Sequence, residues 1–322
     1  MGLFSGKCVS MARLDGKVAV VTGANTGIGK ETVKDFFKRG ARIILACRNV
    51  DKANEAIEDI KKQCEGCENL GQLDVVRLDL SSLSSVKMCA KAVLESEQEI
   101  NLLVNNAGVM MCPKGRTEDG FETQLGTNHL GHFLLTMLLL PKICQSTPAR
   151  IVNVSSVAHK MGYIDFEDLN WVKRRYSALG AYQQSKLANV LFTTELARRL
   201  GEADIKGVTV YCLHPGVVAT ELGRHLDNVY FRDIQWIWRI FIKKFIKTPE
   251  QGAQTTIYCS VDEKCADETG LYYSDCKIAE VSRNAKHLKD AERLWNESLE
   301  LVQLGKDYNP FKQINNLESI LT

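Results

Sequence analysis

One turn in this chain has the composition to hold a diphosphate. Gly23, Ala24, Asn25, Thr26, Gly27, Ile28 and Gly29 follow a short β-branched run, 17–22, and open a helix-forming stretch, 27–39. Glycines in that context let the backbone turn tightly and bring its N–H groups close to a pyrophosphate at a helix N-terminus. That is the chemistry of dinucleotide binding. A site for NAD places an Asp or Glu about 20 residues past such glycines, on the ribose 2′-hydroxyl. Here the second apolar run, 42–47, leads into Arg48 and Asn49, and no acid follows until Asp51. A guanidinium at that place pairs bidentately with a 2′-phosphate, so the expected cofactor is NADP(H).

The second pattern is Tyr-x-x-x-Lys, which occurs three times. Tyr273 and Lys277 begin at a strand end, where positions i and i+4 share no helical face. Tyr308 and Lys312 enclose Pro310, which interrupts a helix. Only Tyr182 and Lys186 open a long Ala- and Leu-rich stretch, 182–200, with phenol and ammonium one turn apart on one face. Ser155 and Ser156 close another buried run, but no nucleophile elbow surrounds them, which argues against a hydrolase. His129 and His132 sit on an apolar helix and read as core or capping residues. His159 and His214 lack the acid partners of a triad or metal site, and no metal is expected.

These residues need elements to position them. Apolar runs at 17–22, 42–47, 74–78, 101–105, 150–155, 207–213 and 270–273 read as buried strands. Helical stretches at 27–39, 50–63, 81–97, 121–144 and 182–200 alternate with them. Continuous rather than period-2 apolar strands predict an α/β fold: a single Rossmann-type, doubly wound domain. Its sheet should be mostly parallel and seven-stranded, with helices on both faces. The domain is expected over 16–304, after a flexible arm, 1–15, and before a loosely held tail, 305–322. The long connections at 109–120 and 157–181 are where specificity would reside.

Composition excludes other classes. Of 322 residues, 45% are hydrophobic and 25% charged, which rules out wholesale disorder. A formal net charge of +2 suggests no nucleic-acid partner. Eleven scattered cysteines, mostly in apolar segments, indicate a reducing, intracellular compartment without disulfides. Cys64 and Cys67 form a lone C-x-x-C, without the second pair a zinc ribbon needs. The longest apolar run, 133–141, is well short of the ~20 residues that span a bilayer. The first residues have no apolar h-region, so no secretory signal is expected. Gly2 and Cys8 could each carry a lipid, although Gly6 stands where a myristoylation pattern wants Ser or Thr; a plain flexible arm accounts for the same residues.

The stretch 229–247 places Ile234, Ile237, Trp238, Phe241, Ile242 and Phe245 on one helical stripe, with Arg239, Lys243 and Lys244 largely off it. Two readings fit this basic amphipathic helix. It is a lid that dips into a bilayer as a peripheral membrane contact, or a lid that only packs on the domain.

Taken with Asn105 to Gly108, Asn128, Ser156 and Pro215-Gly216, the chain resembles the short-chain dehydrogenase/reductase family over about residues 15–300. Segments 44–48, 128–133, 164–171, 214–217 and 293–298 resemble the retinol dehydrogenase 11-to-14 subgroup; the 170–171 stretch looks most like the thirteenth member. The resemblance implies NADP(H)-dependent hydride transfer between nicotinamide and a lipophilic aldehyde or alcohol, retinaldehyde- or retinol-like. It makes Tyr182 the general acid in reduction and the base in oxidation, with Lys186 favouring the phenolate and holding the nicotinamide ribose. Ser156 would donate to the substrate oxygen, and Asn128 would hold a water linking Lys186 to solvent. Asp79 with Leu80 would meet the adenine, while Asn106, Ala107 and Gly108 pass beside the cofactor. Pro215 and Gly216 precede Thr220, which would touch the carboxamide.

Three alternatives stay open: a reductase of steroid, xenobiotic or lipid-derived carbonyls, a catalytically silent NADP(H)-binding scaffold, and a peripheral membrane protein. Family analogy also implies a homodimer through the long helices. The apolar leader that many members carry before the first strand is not in this sequence. A cytosolic location is therefore expected, or peripheral attachment to the endoplasmic reticulum or a mitochondrion.

Overall fold

The structure is a computed structural model and describes residues 6–218 and 247–314. Its centre is one sheet in the order β3-β2-β1-β4-β5-β6-β7-β8. The strands are β1 (Val18–Thr22), β2 (Arg42–Cys47), β3 (Gln72–Arg77), β4 (Leu102–Asn105), β5 (Ala149–Val154), β6 (Val208–His214), β7 (Leu271–Ser274) and β8 (Lys277–Ile278). All pairs are parallel except β7 with β8. The sheet therefore has eight strands, not seven. The extra one is a two-residue antiparallel edge formed where Asp275 and Cys276 turn the chain with positive φ. So short a strand has no apolar run or period to announce it.

Helices α1 (Gly27–Lys38), α2 (Val50–Gln63), α3 (Leu83–Ser96), α4 (Gly131–Gln145), α5 (Ala178–Glu202), α6 (Pro249–Val261) and α7 (Leu288–Leu301) cover the sheet. Two apolar layers result. One joins the sheet to α3, α4, α5 and α7, and the other joins it to α1, α2 and α6. Central strands β1 and β4 are buried at every residue, as continuous apolar runs require. Edge strand β3 is only partly covered, and it starts and ends earlier than the 74–78 expectation because exposure breaks its apolar run.

Other helix boundaries differ as well. The helical stretch expected over 121–144 divides into a short turn at Thr123–Leu125, a π-helical turn at Gly126–Leu130, and α4. Gly131 allows the close packing there: a Cβ on it would lie 2.6 Å from the Leu80 carbonyl oxygen. Helix α5 starts at Ala178, four residues before Tyr182, because the Ser177 hydroxyl caps it by accepting from Gly180 N–H. Described parts of both terminal segments also pack on the domain. In the arm, Cys8 and Leu14 are buried, and Arg39 donates to the carbonyls of Ser10 and Ala12. In the tail, Tyr308 and Phe311 pack on the core, and the Tyr308 hydroxyl donates to the Met137 carbonyl at 3.1 Å.

Helix α7 closes the outer face of α4 and α5. Trp295 meets Phe133 edge-on at 5.2 Å and Phe192 at 5.9 Å, and the Arg199 guanidinium lies 4.7 Å above its ring. Ser298, fully buried, lies 2.9 Å from His129 Nε2. Replacing Trp295 with Ala is expected to lower unfolding free energy by about 3–5 kcal/mol, measured by urea denaturation.

Candidate active site

Parallel strands with a reversal of order between β1 and β4 open a crevice at their C-terminal ends. Registers Thr22↔Ala46 and Val21↔Val104 bring the exits of β1, β2 and β4 level with one another. The glycine turn leaves β1, Arg48 leaves β2, Asp79 follows β3, Asn106 leaves β4, Ser155 and Ser156 leave β5, and Pro215 leaves β6. One edge of the sheet thus collects most of the residues singled out in the sequence.

The glycine turn is tight. Gly23 and Gly27 have φ of 64° and 56°, and a Cβ on Gly29 would lie 2.4 Å from the Gly23 carbonyl oxygen. Asn106 does not face the crevice with its amide; Nδ2 donates to the carbonyls of Thr22 (2.9 Å) and Gly23 (3.3 Å) and braces the turn. The buried Cys47 thiol bonds to the backbone of Ala24 and Asn25, and burial pushes it up to about 11. Thr26 begins α1 in extended conformation without a side-chain cap, and no acid stands in the first turn. Backbone donors with no side-chain cap and no nearby carboxylate fit a pyrophosphate. Arg48 is exposed and makes no ion pair or hydrogen bond among the described residues. It is available to a phosphate.

Other expected cofactor residues divide by how they are used. Asp79 accepts from both Ser81 N–H and the Ser81 hydroxyl and is partly exposed. Leu80 is buried, with its carbonyl oxygen and its side chain both against Gly131. Ala107 and Gly108 line the partly open floor. Gly216, with φ of 87°, donates its N–H to His214 Nδ1 at 3.1 Å. Thr220 and the amphipathic stretch, except Lys247, lie outside the described residues.

Tyr182, Ser156, Lys186 and Asn128 converge. The Ser156 side chain favours the Tyr182 phenolate, and the Lys186 Nζ lies 5.8 Å from the centre of the Tyr182 ring. Burial raises the phenol above its ordinary value, and the nearby serine partly offsets this. A Cβ on Gly108 would lie 3.2 Å from Asn128 Oδ1 and 3.6 Å from Lys186 Nζ, so the floor passes directly beside both. Lys186 Nζ donates to the Val154 carbonyl at 3.1 Å, and burial lowers it to about 8.

The Asn128 side chain is occupied. Oδ1 accepts from Val109 N–H at 2.8 Å, and Nδ2 donates to the Val109 carbonyl and the Ser185 hydroxyl, both at 2.9 Å. It clamps the 109–120 loop onto α5.

Several contributors escaped the sequence reading. Ser155 donates from its hydroxyl to the Lys186 carbonyl at 2.7 Å, tying β5 to α5. The Ser156 carbonyl accepts from His159 Nδ1 (2.7 Å) and from the Tyr272 hydroxyl (3.4 Å), which fixes the turn carrying Ser156. The sequence marks Thr22 only as a strand end and His132 only as a core or capping residue. The His-x-x-His spacing of residues 129 and 132 was the one available signal, but it does not reveal partners from β1.

The chain is similar to known proteins. A model of the short-chain dehydrogenase family matches residues 17–229. Retinol dehydrogenase 11 of Mus musculus is 49% identical over 95% of this chain and 92% of its own length. Retinol dehydrogenase 12 of Homo sapiens is 50% identical over 92% and 90%. Retinol dehydrogenase 13 of Homo sapiens, toward which residues 170–171 pointed, is 47% identical over 93% and 88%. A solved structure titled as an uncharacterized protein from Mycobacterium Paratuberculosis superposes with a TM-score of 0.73 at 34% identity, over 94% of this chain and all of that one. The chain belongs to the short-chain dehydrogenase family and, within it, to the retinol dehydrogenase 11-to-14 subgroup; it is an oxidoreductase.

The low Lys186 value gives a stability prediction. Between about 8 and the ordinary 10.5, the folded protein binds fewer protons than the unfolded chain, so stability rises with pH across that window. Below it the full cost of burying the ammonium remains, of order 1–3 kcal/mol. Lys186→Met is expected to melt higher than the parent at pH 7 without cofactor. The gap should close as pH approaches 10.5, read by calorimetry across pH.

Proposed function

We propose that this oxidoreductase uses NADP(H) and acts on a lipophilic aldehyde or alcohol, retinaldehyde- or retinol-like, with Tyr182 as its general acid and base. The observation that carries the reading is the meeting of Tyr182, Ser156 and Lys186 at the crevice floor. The bound nicotinamide supplies the hydride in reduction and accepts it in oxidation. The N–H groups of residues 23–29 would hold the pyrophosphate, Arg48 the 2′-phosphate, Asp79 and the Leu80 backbone the adenine end, and Lys186 the nicotinamide ribose. Thr220, outside the described residues, would meet the carboxamide.

Each side chain then has a task. Ser156 donates its hydroxyl proton in a hydrogen bond to the carbonyl oxygen, where negative charge grows during reduction. Tyr182 Oη gives its proton to that oxygen and, in the reverse direction, takes it from the alcohol. The buried phenol alone is held protonated. A protonated Lys186 one turn away favours the phenolate, so the pair can release and regain a proton at neutral pH. Val157, Met161, Tyr163, Leu179 and Val217 are exposed apolar side chains on the segments that carry Ser156, Tyr182 and Pro215. Such side chains favour an apolar substrate over a sugar or a charged acid. The named retinol dehydrogenases support the retinoid choice.

Initial rates with NADPH and NADH against retinaldehyde, medium-chain aldehydes and a steroid ketone test the reading. NADPH-dependent turnover of retinaldehyde is expected, and Tyr182→Phe should lower it by ~10²- to 10⁴-fold. Preference for the steroid ketone would replace the substrate class, and unchanged turnover in Tyr182→Phe would overturn the mechanism. Arg48→Glu should weaken NADPH by about 10- to 100-fold while sparing NADH; an unaltered ratio would remove Arg48 from the 2′-phosphate.

A further inference from the structure

His132 is fully buried and joins two parts of the site that are far apart in sequence. Its Nε2 lies 2.8 Å from the Thr22 hydroxyl oxygen, and its Nδ1 lies 3.0 Å from the Asn128 carbonyl oxygen. Thr22 is the last residue of β1, immediately before the glycine turn. Its hydroxyl oxygen also accepts from the N–H groups of Asn106 and Ala107, each at 3.0 Å. Asn128 lies in the π-helical turn and clamps Val109 to Ser185.

The donors and acceptors fix the imidazole's state. A carbonyl only accepts, so Nδ1 must carry the proton toward Asn128. The Thr22 oxygen already accepts two N–H bonds and has one proton to give. Its short contact is to Nε2; the alternative acceptor, the Val104 carbonyl, is at 3.5 Å. Nε2 is therefore unprotonated and accepts. Burial, together with the nearby Lys186 ammonium, lowers His132 to about 4, consistent with a neutral ring.

We infer that His132 is a positioning residue that couples the nucleotide turn to Asn128, by acting as a neutral Nδ1–H bridge between the Thr22 hydroxyl and the Asn128 carbonyl. One end of the ring holds the hydroxyl that organises residues 22, 106 and 107. The other end holds the residue that fixes the loop beside Lys186. Thr22, Asn128 and His132 are all buried, so the ring acts through the residues it holds. The two ends should therefore fail separately: the Thr22 end through cofactor affinity, and the Asn128 end through the chemical step. Only this kinetic consequence rests on the proposed function.

The first test uses the intact chain labelled with ¹⁵N-histidine, with the His132 signals identified by their loss in His132→Gln. At pH 7, two-bond ¹H–¹⁵N correlation is expected to report the Nδ1–H tautomer. An Nε2–H ring or an imidazolium overturns the bridge, whether or not the protein turns over any substrate. The second test splits the ring. In His132→Asn the amide Nδ2 can replace Nδ1 toward Asn128. In His132→Gln the Oε1 can replace Nε2 toward Thr22. His132→Asn should raise the NADPH dissociation constant and KM by about tenfold with kcat within about threefold. His132→Gln should do the reverse. Thr22→Val should share the His132→Asn phenotype, and Thr22→Ser should restore it. Equal losses in kcat and KM from both His132 variants, or no rescue by Thr22→Ser, would reduce His132 to packing. A parent protein that binds NADPH but reduces no carbonyl would overturn the proposed function alone.

Discussion

The site depends on one hydroxyl. Thr22 ends the central strand of a parallel sheet, where backbone groups at the strand exits have lost their ladder partners and must bond elsewhere. Its oxygen takes the N–H groups of Asn106 and Ala107, and its proton faces His132. The exits of β1 and β4 are thereby held together beneath the glycine turn, and Asn106 reaches back to seal the same turn from above. A valine would fill the space but leave the Ala107 N–H without its partner and the Asn106 N–H with only the Val104 carbonyl.

The electrostatics around this frame are set by burial more than by opposed charges. Lys186 is held by a carbonyl rather than a carboxylate, and burial displaces it and the Tyr182 phenol in opposite directions. Each loses stability in its charged form, which widens the gap between a lysine and a tyrosine that ordinarily titrate close together. An acid beside Lys186 would have stabilised the fold and pinned the proton. Its place is taken by Gly108 and Asn128.

Rigidity comes from outside the crevice. The π-helical turn carrying Asn128 is locked on one side by His132 to β1 and on the other by His129 to Ser298 of α7. Helix α7 in turn is seated by Trp295 among Phe133 and Phe192, so a C-terminal segment supports a residue of the central loop. The turn after β5 is held similarly, with His159 and Tyr272 both on the Ser156 carbonyl.

Much of this was legible in the sequence. The order of apolar runs determined the doubly wound sheet, because strands buried on both faces cannot be polar. The glycine turn was legible because few other residue types satisfy left-handed φ and close packing. The pairing of Tyr182 with Lys186 followed from helical periodicity, a local property. Long-range choices were not legible. That Asn128 would spend its side chain on Val109 and Ser185, that Asn106 would turn away from the crevice, and that Thr22 would meet His132 all depend on segments brought together only by the sheet. The extra strand β8 and the docking of residues 6–15 and 308–314 belong to the same class. Local composition specifies which elements form and what each could bind. A hydrogen bond between distant segments has no period or spacing, so only the packed tertiary structure decided which groups were bonded and which were left for chemistry.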